Sequence, residues 1–249
     1  CDVLIAVGMR FDDRVTGRLD KYAKQAKVIH LDIDPSEIDK NVKTTVPVWG
    51  DCKETLPLLT ALVSPKKYPD WMQKFQDCME KEKSLCIEPE MNPTGDVLTM
   101  GEVIKALNEL TEGNAIIVTD VGQHQMFAAQ YFKGSRPRTW LTSGGLGTMG
   151  FGFPAAIGAQ VAFPDRQVVC ITSEGSFQMN LQELVVAAER KLPVKIVLLN
   201  NGVHGMVRQW QDLFYEGRYS ASILGTLPDF VKLADAYGIP GLRAVKPAE

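Results

Sequence analysis

The sequence predicts an α/β protein in which parallel sheets carry helices on both faces. Short, continuously apolar runs such as Val3–Val7 are typical of parallel strands that are buried on both sides. Between these runs, apolar residues recur every three or four positions, which is the period of a helix with one buried face. Polar or glycine-rich segments follow several runs, where turns between strands and helices are expected.

Residues 1–63 predict a first α/β unit. Its strands are predicted at three apolar runs, residues 3–7, 28–33 and 46–49. Leu56, Leu59 and Leu62 follow helical spacing, so a helix is expected to close the unit.

Residues 64–95 predict a linker, because four prolines punctuate a mostly polar stretch. Trp71, Phe75 and Met79 are four residues apart, which places them on one face of a helix. We therefore expect a single amphipathic helix inside the linker.

Residues 96–249 predict a second α/β unit. Its main strands are expected at residues 115–120, 167–172 and 194–199. Its helices are expected around residues 103–110, 155–161, 181–188 and 230–237. Pro154 suits the first turn of the second helix, and Pro228 is expected to open the last one. Residues 139–143 make only a poor strand.

The two ends of the sequence predict a fragment of a longer protein. The chain begins with Cys1 and enters its first strand at once, and residues 242–245 resemble the start of another strand. A complete domain seldom begins or ends inside its own sheet. A targeting signal, if the whole protein has one, cannot be read from this N-terminus.

The composition excludes some classes of function. Hydrophobic residues make up 45% of the chain and charged residues 23%, with a net charge of -3. No basic stripe suits a nucleic acid, and no apolar run approaches the roughly 18–20 residues of a membrane span. The five cysteines form no CxxC pair, so reduced thiols are expected rather than a zinc site or a disulfide framework.

We predict a ligand site at three loops, each of which follows a predicted strand. They are residues 120–124, 173–176 and 200–203. Ligands of parallel sheets bind beyond the carboxyl ends of the strands, where all three loops are expected. Gly122, Gly175 and Gly202 allow a close approach of the backbone, and Glu174 and Asn201 offer oxygen ligands for Mg²⁺. Each loop alone is more often a simple turn or helix cap, but together they predict a diphosphate held through Mg²⁺.

The order and spacing of these loops resemble those of thiamine-diphosphate enzymes, which carry Gly-Asp-Gly, about two dozen residues, and Asn-Asn. Here Ser173-Glu174-Gly175 and Asn200-Asn201 are separated by 24 residues. The flanking text is similar to the acetolactate synthase family in residues 8–17, 32–35, 120–125, 144–150, 176–184 and 205–211. The resemblance covers nearly the whole chain.

The resemblance implies that residues 1–63 belong to a middle, FAD-binding-type domain and residues 96–249 to a thiamine-diphosphate domain. The implied cofactor contacts are Gly122, Gln123, His124, Gly147, Met149, Gly175, Ser176 and Met206. The implied Mg²⁺ ligands are Glu174, Asn201 and the backbone carbonyl of Val203. Arg10, Asp32, Ile33 and Asp51 fall where the family contacts a structural FAD, and Arg14 and Trp210 at the mouth of its substrate channel.

The resemblance also implies a reaction: decarboxylation of pyruvate and condensation of the two-carbon unit with a second 2-keto acid, in branched-chain amino-acid biosynthesis. A homodimer or tetramer, with a possible regulatory small subunit, is implied as well. The location would be cytoplasmic in a bacterium and organellar in a eukaryote.

Two departures from the family pattern affect this expectation. Ser173-Glu174 replaces Gly-Asp, and the extra methylene moves the carboxylate by roughly 1.5 Å on a fixed backbone. Weaker metal binding, a shifted backbone and an inactive site all stay open. The family's first domain, which supplies the catalytic glutamate, has no counterpart here. No catalytic residue is therefore assigned, and the fragment alone is expected to be inactive.

Three other functions stay open. One is a different thiamine enzyme, such as a pyruvate oxidase or glyoxylate carboligase, and another is a non-catalytic cofactor-binding fragment. The third is a nicotinamide dehydrogenase, suggested by a GxGxxG match at residues 145–150 that lacks a proper strand before it. His30 is expected to be structural, whereas contact of His124 or His204 with a ligand stays open.

Overall fold

The computed structural model describes residues 1–247 and 249. The chain divides into two compact units, Cys1–Met72 and Gln73–Glu249, each built around a sheet of parallel strands. The predicted α/β class is therefore confirmed.

The first unit contains a three-stranded sheet in the order β1-β2-β3. Its elements are β1 Val3–Val7, α1 Asp13–Thr16, β2 Lys27–Asp32, β3 Val46–Trp49 and α2 Cys52–Leu62. All three predicted strands and the predicted helix are present. Ala6, Phe11 and Val28 form the buried cluster of this unit.

The division between the units falls inside α3, Pro69–Glu82. This is the helix predicted from Trp71, Phe75 and Met79, and none of its residues is buried. A π-helical turn, Lys83–Ile87, and the short α4, Glu88–Met91, follow it.

The second unit contains a four-stranded parallel sheet in the order β5-β4-β6-β7. Its strands are β4 Ile116–Thr119, β5 Trp140–Thr142, β6 Val168–Ser173 and β7 Lys195–Leu199. Its helices are α5 Met100–Thr111, α6 Gln123–Tyr131, α7 Gly152–Ala162, α8 Glu174–Phe177, α9 Leu184–Glu189, α10 Gly205–Phe214 and α11 Phe230–Ala236, with a 3-10 turn at Leu181–Glu183.

Alternate residues of the central strands pack on opposite faces of this sheet, as the strand period requires. Val118 and Cys170 belong to a buried cluster that includes residues of α7, α8 and α9. Ile117 and Ile171 belong to a second cluster that includes residues of α5 and α6. Helices therefore cover both faces of this sheet, as predicted.

Several details differ from the sequence-based expectations. The poor strand at residues 139–143 is a real edge strand, β5, because pairing with β4 stabilises three residues of mixed polarity. Residues 242–245 form no strand. The last helix is opened by Asp229 rather than Pro228, since the Asp229 carboxylate accepts hydrogen bonds from two backbone amides of the first turn.

Five helices of the described chain were not anticipated, namely α1, α4, α6, α8 and α10, and α4 lies in the segment where a single helix was expected. Both α6 and α10 begin at loops that were interpreted as irregular. The helix after β6 was expected near Asn180, but α8 begins at Glu174 itself. This start matters because Glu174 is the first helical residue after β6, and the helix therefore determines the direction of its side chain.

Among residues 1–247 and 249, no helix is both long enough and apolar enough to cross a membrane. Cys170 is buried within β6, and no cysteine pairs with another in the described part of the chain.

Candidate functional site

Three loops meet at the carboxyl ends of β4, β6 and β7, as parallel strand order predicts. The hydroxyl of Ser176, after β6, donates to the Val121 carbonyl, after β4, at 3.0 Å. The backbone amide of Val203, after β7, donates to Glu174 Oε1 at 3.1 Å. These bonds make the three loops one structural group.

Glu174 is the acidic side chain at the centre of this group. It is 0% exposed, and its Oε1 atom accepts the Val203 amide. Its Oε2 atom is buried and has no hydrogen-bond partner in the described residues. Burial raises the pKa of the Glu174 carboxyl above its ordinary value, although backbone amides of the neighbouring loop oppose this shift. A cation beside Oε2 would stabilise the charged form.

Asn201 and Val203 complete the oxygen set that was predicted to bind Mg²⁺. Asn201 Oδ1 accepts the Val203 amide at 3.2 Å, so Asn201 and Glu174 share this donor. The Asn201 amide nitrogen lies 3.4 Å from Gln123 Oε1. The described residues contain no group of three His, Cys, Asp or Glu side chains suited to a metal. One carboxylate, one amide and one carbonyl nevertheless fit Mg²⁺, which commonly completes its shell with water and phosphate oxygens.

Gly175 lies where two side chains converge. A Cβ atom at this position would lie 2.8 Å from His204 Cε1 and 3.8 Å from Met149 Cε. Only glycine therefore leaves room for the imidazole ring. The predicted contacts Gly175 and Met149 are thus neighbours, and His204 joins them although it was not assigned to the site.

Gln123 connects the start of α6 to α10. Its side-chain nitrogen donates to Gln209 Oε1 at 3.1 Å. A Cβ atom on Gly205 would overlap Gln123 Oε1, so the glycine leaves room for this side chain at the start of α10. Gln209 had no sequence signal of its own, because its partner is 86 positions away.

His124 is predicted as a cofactor contact, but its side chain is buried, at 1% exposure. Burial lowers its pKa to about 4, which makes the ring neutral near pH 7. Its Nε2 atom has no partner among the described residues. The ring lies against the backbone of Gly122, so it supports the loop at residues 120–124 by packing.

Asp120 is a buried carboxylate whose role the sequence did not reveal. Its two oxygens accept the backbone amides of Val121, Gly150 and Gly152, at 2.8, 2.8 and 3.1 Å. Asp120 thereby fixes the loop containing Met149 against the end of β4.

The remaining predicted contacts of this unit are less enclosed. Gly147 is exposed, and its amide donates to the Ser143 carbonyl at 3.1 Å. Met206 and Trp210 are one turn apart on α10; Met206 is half-buried and Trp210 is 43% exposed. The Trp210 ring packs on Phe214 with centroids 5.3 Å apart.

The predicted FAD contacts lie at or just after the carboxyl ends of strands of the first unit. Asp32 ends β2 and accepts the Asp34 amide at 2.9 Å, while the adjacent Ile33 is 66% exposed. Asp51 caps α2 through the Lys53 amide at 2.8 Å. The list is completed by Arg10, which pairs with Asp12 at 2.6 Å.

Arg14 lies in α1 of the first unit and is exposed, and Trp210 lies in the second unit. The two residues predicted at the substrate channel therefore belong to different units.

Comparison with protein families gives two matches. Residues 120–249 match the C-terminal TPP binding domain of thiamine pyrophosphate enzymes. Residues 1–59 match the central domain of thiamine pyrophosphate enzymes. The first match covers more than half of the chain.

Individual relatives give the same result. The chain is 45% identical to the acetolactate synthase large subunit of Haemophilus influenzae, over 100% of this chain and 44% of that protein. It is 46% identical to the acetolactate synthase isozyme 3 large subunit of Escherichia coli, with the same two coverages. It is 49% identical to the acetolactate synthase of Mycobacterium leprae, over 97% of this chain and 40% of that protein. The chain thus spans less than half the length of these relatives.

Proposed function

Because this chain belongs to the thiamine pyrophosphate enzyme family, we propose that it binds thiamine diphosphate through Mg²⁺ at the carboxyl ends of β4, β6 and β7. The observation that carries this proposal is the buried Oε2 atom of Glu174, which has no hydrogen-bond partner among the residues that the structure describes. A buried carboxylate oxygen without a partner is costly in free energy, and a bound cation removes that cost.

Glu174, Asn201 and the carbonyl of Val203 would hold the metal. The longer glutamate is compatible with this role, because the backbone already seats it with a 3.1 Å bond from the Val203 amide. The fit of this side chain supports metal binding over an inactive site.

The diphosphate would be held mainly by the backbone. Ser176 commits its hydroxyl to Val121, so it would contribute its amide rather than its side chain. Gly122 and Gly175 would permit close approach, and Gln123 would stabilise the loop through Gln209. His124 is enclosed, so we assign it to supporting this loop.

The bound cofactor would supply an electron sink for decarboxylation of a 2-keto acid. Met149 lies beside Gly175 and would shape the cofactor from one side. We further propose contacts with the cofactor at Met206 and the Gly147 loop. We place Trp210 and Arg14 at the substrate channel of the whole protein.

For the whole protein we propose acetolactate synthase activity, with pyruvate and a second 2-keto acid as substrates in branched-chain amino-acid biosynthesis. The names and identities of the relatives support this activity. Two of these relatives are named large subunits, which supports a regulatory small subunit as a partner. Assembly into a homodimer or tetramer, and a cytoplasmic location for a bacterial source, belong to the same proposal.

We also propose that the first unit binds FAD structurally, at the carboxyl ends of its strands. Arg10, Asp32, Ile33 and Asp51 all lie at or just after these ends. The exposed Ile33 would provide an apolar contact, and Asp32 a carboxylate for a hydroxyl group.

Two experiments test the proposal. Calorimetric titration of this chain with thiamine diphosphate should show binding with Mg²⁺ and none without it. Absence of binding in both conditions would refute a metal-held diphosphate on this chain. Separately, the full-length protein should convert pyruvate to acetolactate. Oxidative conversion of pyruvate to acetyl phosphate in the presence of phosphate and O₂, or conversion of glyoxylate to tartronate semialdehyde, without acetolactate formation, would assign it to another thiamine enzyme.

A further inference from the structure

We infer that His204 is a further cofactor-binding residue, and that its imidazole donates a hydrogen bond to the diphosphate. This inference rests on the proposed thiamine diphosphate site. It concerns a residue that neither the motif spacing nor the cited resemblance assigns to the ligand.

The position of the ring is the first observation. His204 Cε1 and Nδ1 would lie 2.8 and 3.0 Å from a Cβ atom on Gly175. The imidazole therefore fills the space above the Gly175 backbone that a side chain would otherwise occupy. Met149 lies on the same side of Gly175, so the ring is part of the wall of the proposed site.

The fixed backbone of His204 is the second observation. Its amide donates to the Ser222 carbonyl at 2.8 Å, and its carbonyl accepts the Arg208 amide at 2.9 Å. Next to it, Val203 forms an isolated antiparallel bridge with Ile223. The backbone that carries the ring is thus fixed beside Gly175 before any ligand binds, which lowers the entropic cost of a contact.

The third observation is that the imidazole has hydrogen-bonding capacity to spare. Within residues 1–247 and 249, His204 forms hydrogen bonds through its backbone and none through either ring nitrogen. The residue is half-buried, so a nitrogen remains accessible to a ligand. Either neutral tautomer carries one N–H donor, and phosphate oxygens are strong acceptors.

The chemistry of the turn favours an anion at this place over a metal. The proposed cation ligands Glu174 and Asn201 both accept the Val203 amide, whereas the ring of His204 lies against Gly175. A diphosphate held by both the metal and the Gly175 turn would lie next to the imidazole of His204. The histidine would therefore bind phosphate and not the metal.

Binding of two ligands to the wild-type chain and two variants tests the inference. Thiamine diphosphate and inorganic pyrophosphate, each with Mg²⁺, are titrated into the wild-type chain, H204L and H204Q. Leucine retains the packing on Gly175 and removes the donor, whereas glutamine retains a donor. We expect H204L to weaken both ligands by about tenfold, the usual scale for one hydrogen bond to a charged group. H204Q should stay within about threefold of wild type.

The outcomes separate the possibilities. Equal affinities of H204L and wild type for both ligands would overturn the inference. A loss for thiamine diphosphate alone would also overturn it, because the ring would then contact the thiamine part. If the wild-type chain binds neither ligand, the proposed function itself fails, and this inference fails with it. Thermal melting of each variant shows whether H204L and H204Q are folded. If H204L loses affinity for the ligands and H204Q does not restore it, His204 has a packing role only, and the inference is overturned.

Discussion

Two buried carboxylates lie at the ends of neighbouring parallel strands, and their surroundings differ. Asp120, after β4, accepts three backbone amides with its two oxygens. Glu174, after β6, is equally buried, but one of its oxygens has no partner in the described residues. A carboxylate whose two oxygens both accept hydrogen bonds organises the protein, whereas a carboxylate with an unbonded oxygen is suited to a ligand. The comparison shows why burial alone does not identify a functional acid.

The largest expected effect concerns Asp120, the carboxylate whose two oxygens both accept hydrogen bonds. Removing Asp120 in D120A leaves the amides of Gly150 and Gly152 buried without acceptors. We expect the free energy of unfolding to fall by about 3–5 kcal/mol, measured by urea denaturation. E174A is the matched control, since it removes an equally buried carboxylate that accepts only the Val203 amide among the described residues. Its free energy of unfolding should change by about 1 kcal/mol or less. Equal losses in the two variants would contradict the comparison.

A third buried polar group extends the comparison to pH. The pKa of His124 is lowered from 6.5 to about 4 by burial, so the unfolded chain binds more protons between these values. Stability should therefore fall as the pH drops from about 6.5 towards 4, by about 3 kcal/mol in total. Denaturation curves at several pH values should show that the free energy of unfolding depends less on pH in H124Q than in the wild-type chain. An unchanged slope in H124Q would show that other groups cause the loss.

The contact between Gly175 and His204 gives a smaller, coupled effect. A methyl group in G175A would displace the imidazole, whose ring can rotate away at little cost in stability. We expect the affinity for thiamine diphosphate to fall by about tenfold in G175A and by about threefold or less when H204L is already present. Fully multiplicative losses in the double variant would mean that the added methyl group blocks the ligand directly.

The smallest effect concerns the length of the acid. Shortening Glu174 to aspartate withdraws the carboxylate from the Val203 amide, which now binds it at 3.1 Å. E174D should therefore weaken Mg²⁺-dependent binding of thiamine diphosphate by about two- to fivefold, as calorimetry can measure. A gain in affinity would show that the glutamate is poorly accommodated.

Local sequence patterns predicted most of the strands because their apolar runs are long and uninterrupted, as in Val3–Val7. They failed where tertiary contacts decide the structure. The edge strand β5 exists because Trp140–Thr142 pairs with β4, and residues 242–245 have no such partner. Helix α6 has little apolar periodicity, so its sequence resembles a loop.

The site shows the same limit. The three strand-end loops could be placed together because parallel order alone determines their side of the sheet. The part played by Asp120 depends on amides 30 and 32 positions away, which no local pattern reveals. The contact of His204 with Gly175 depends on the path of the loop after β7. The sequence thus predicted that the three loops meet, but not which side chains hold them together.

The central claim is that Glu174 uses its Oε2 atom to hold the cation of the cofactor. The most direct test is calorimetric titration of thiamine diphosphate, in Mg²⁺, into the wild-type chain and E174Q side by side. Glutamine has the same shape but no charge. We predict Mg²⁺-dependent binding for wild type and a loss of about 100-fold or more for E174Q, with folding retained. Equal, Mg²⁺-dependent affinities for the two proteins would contradict the claim.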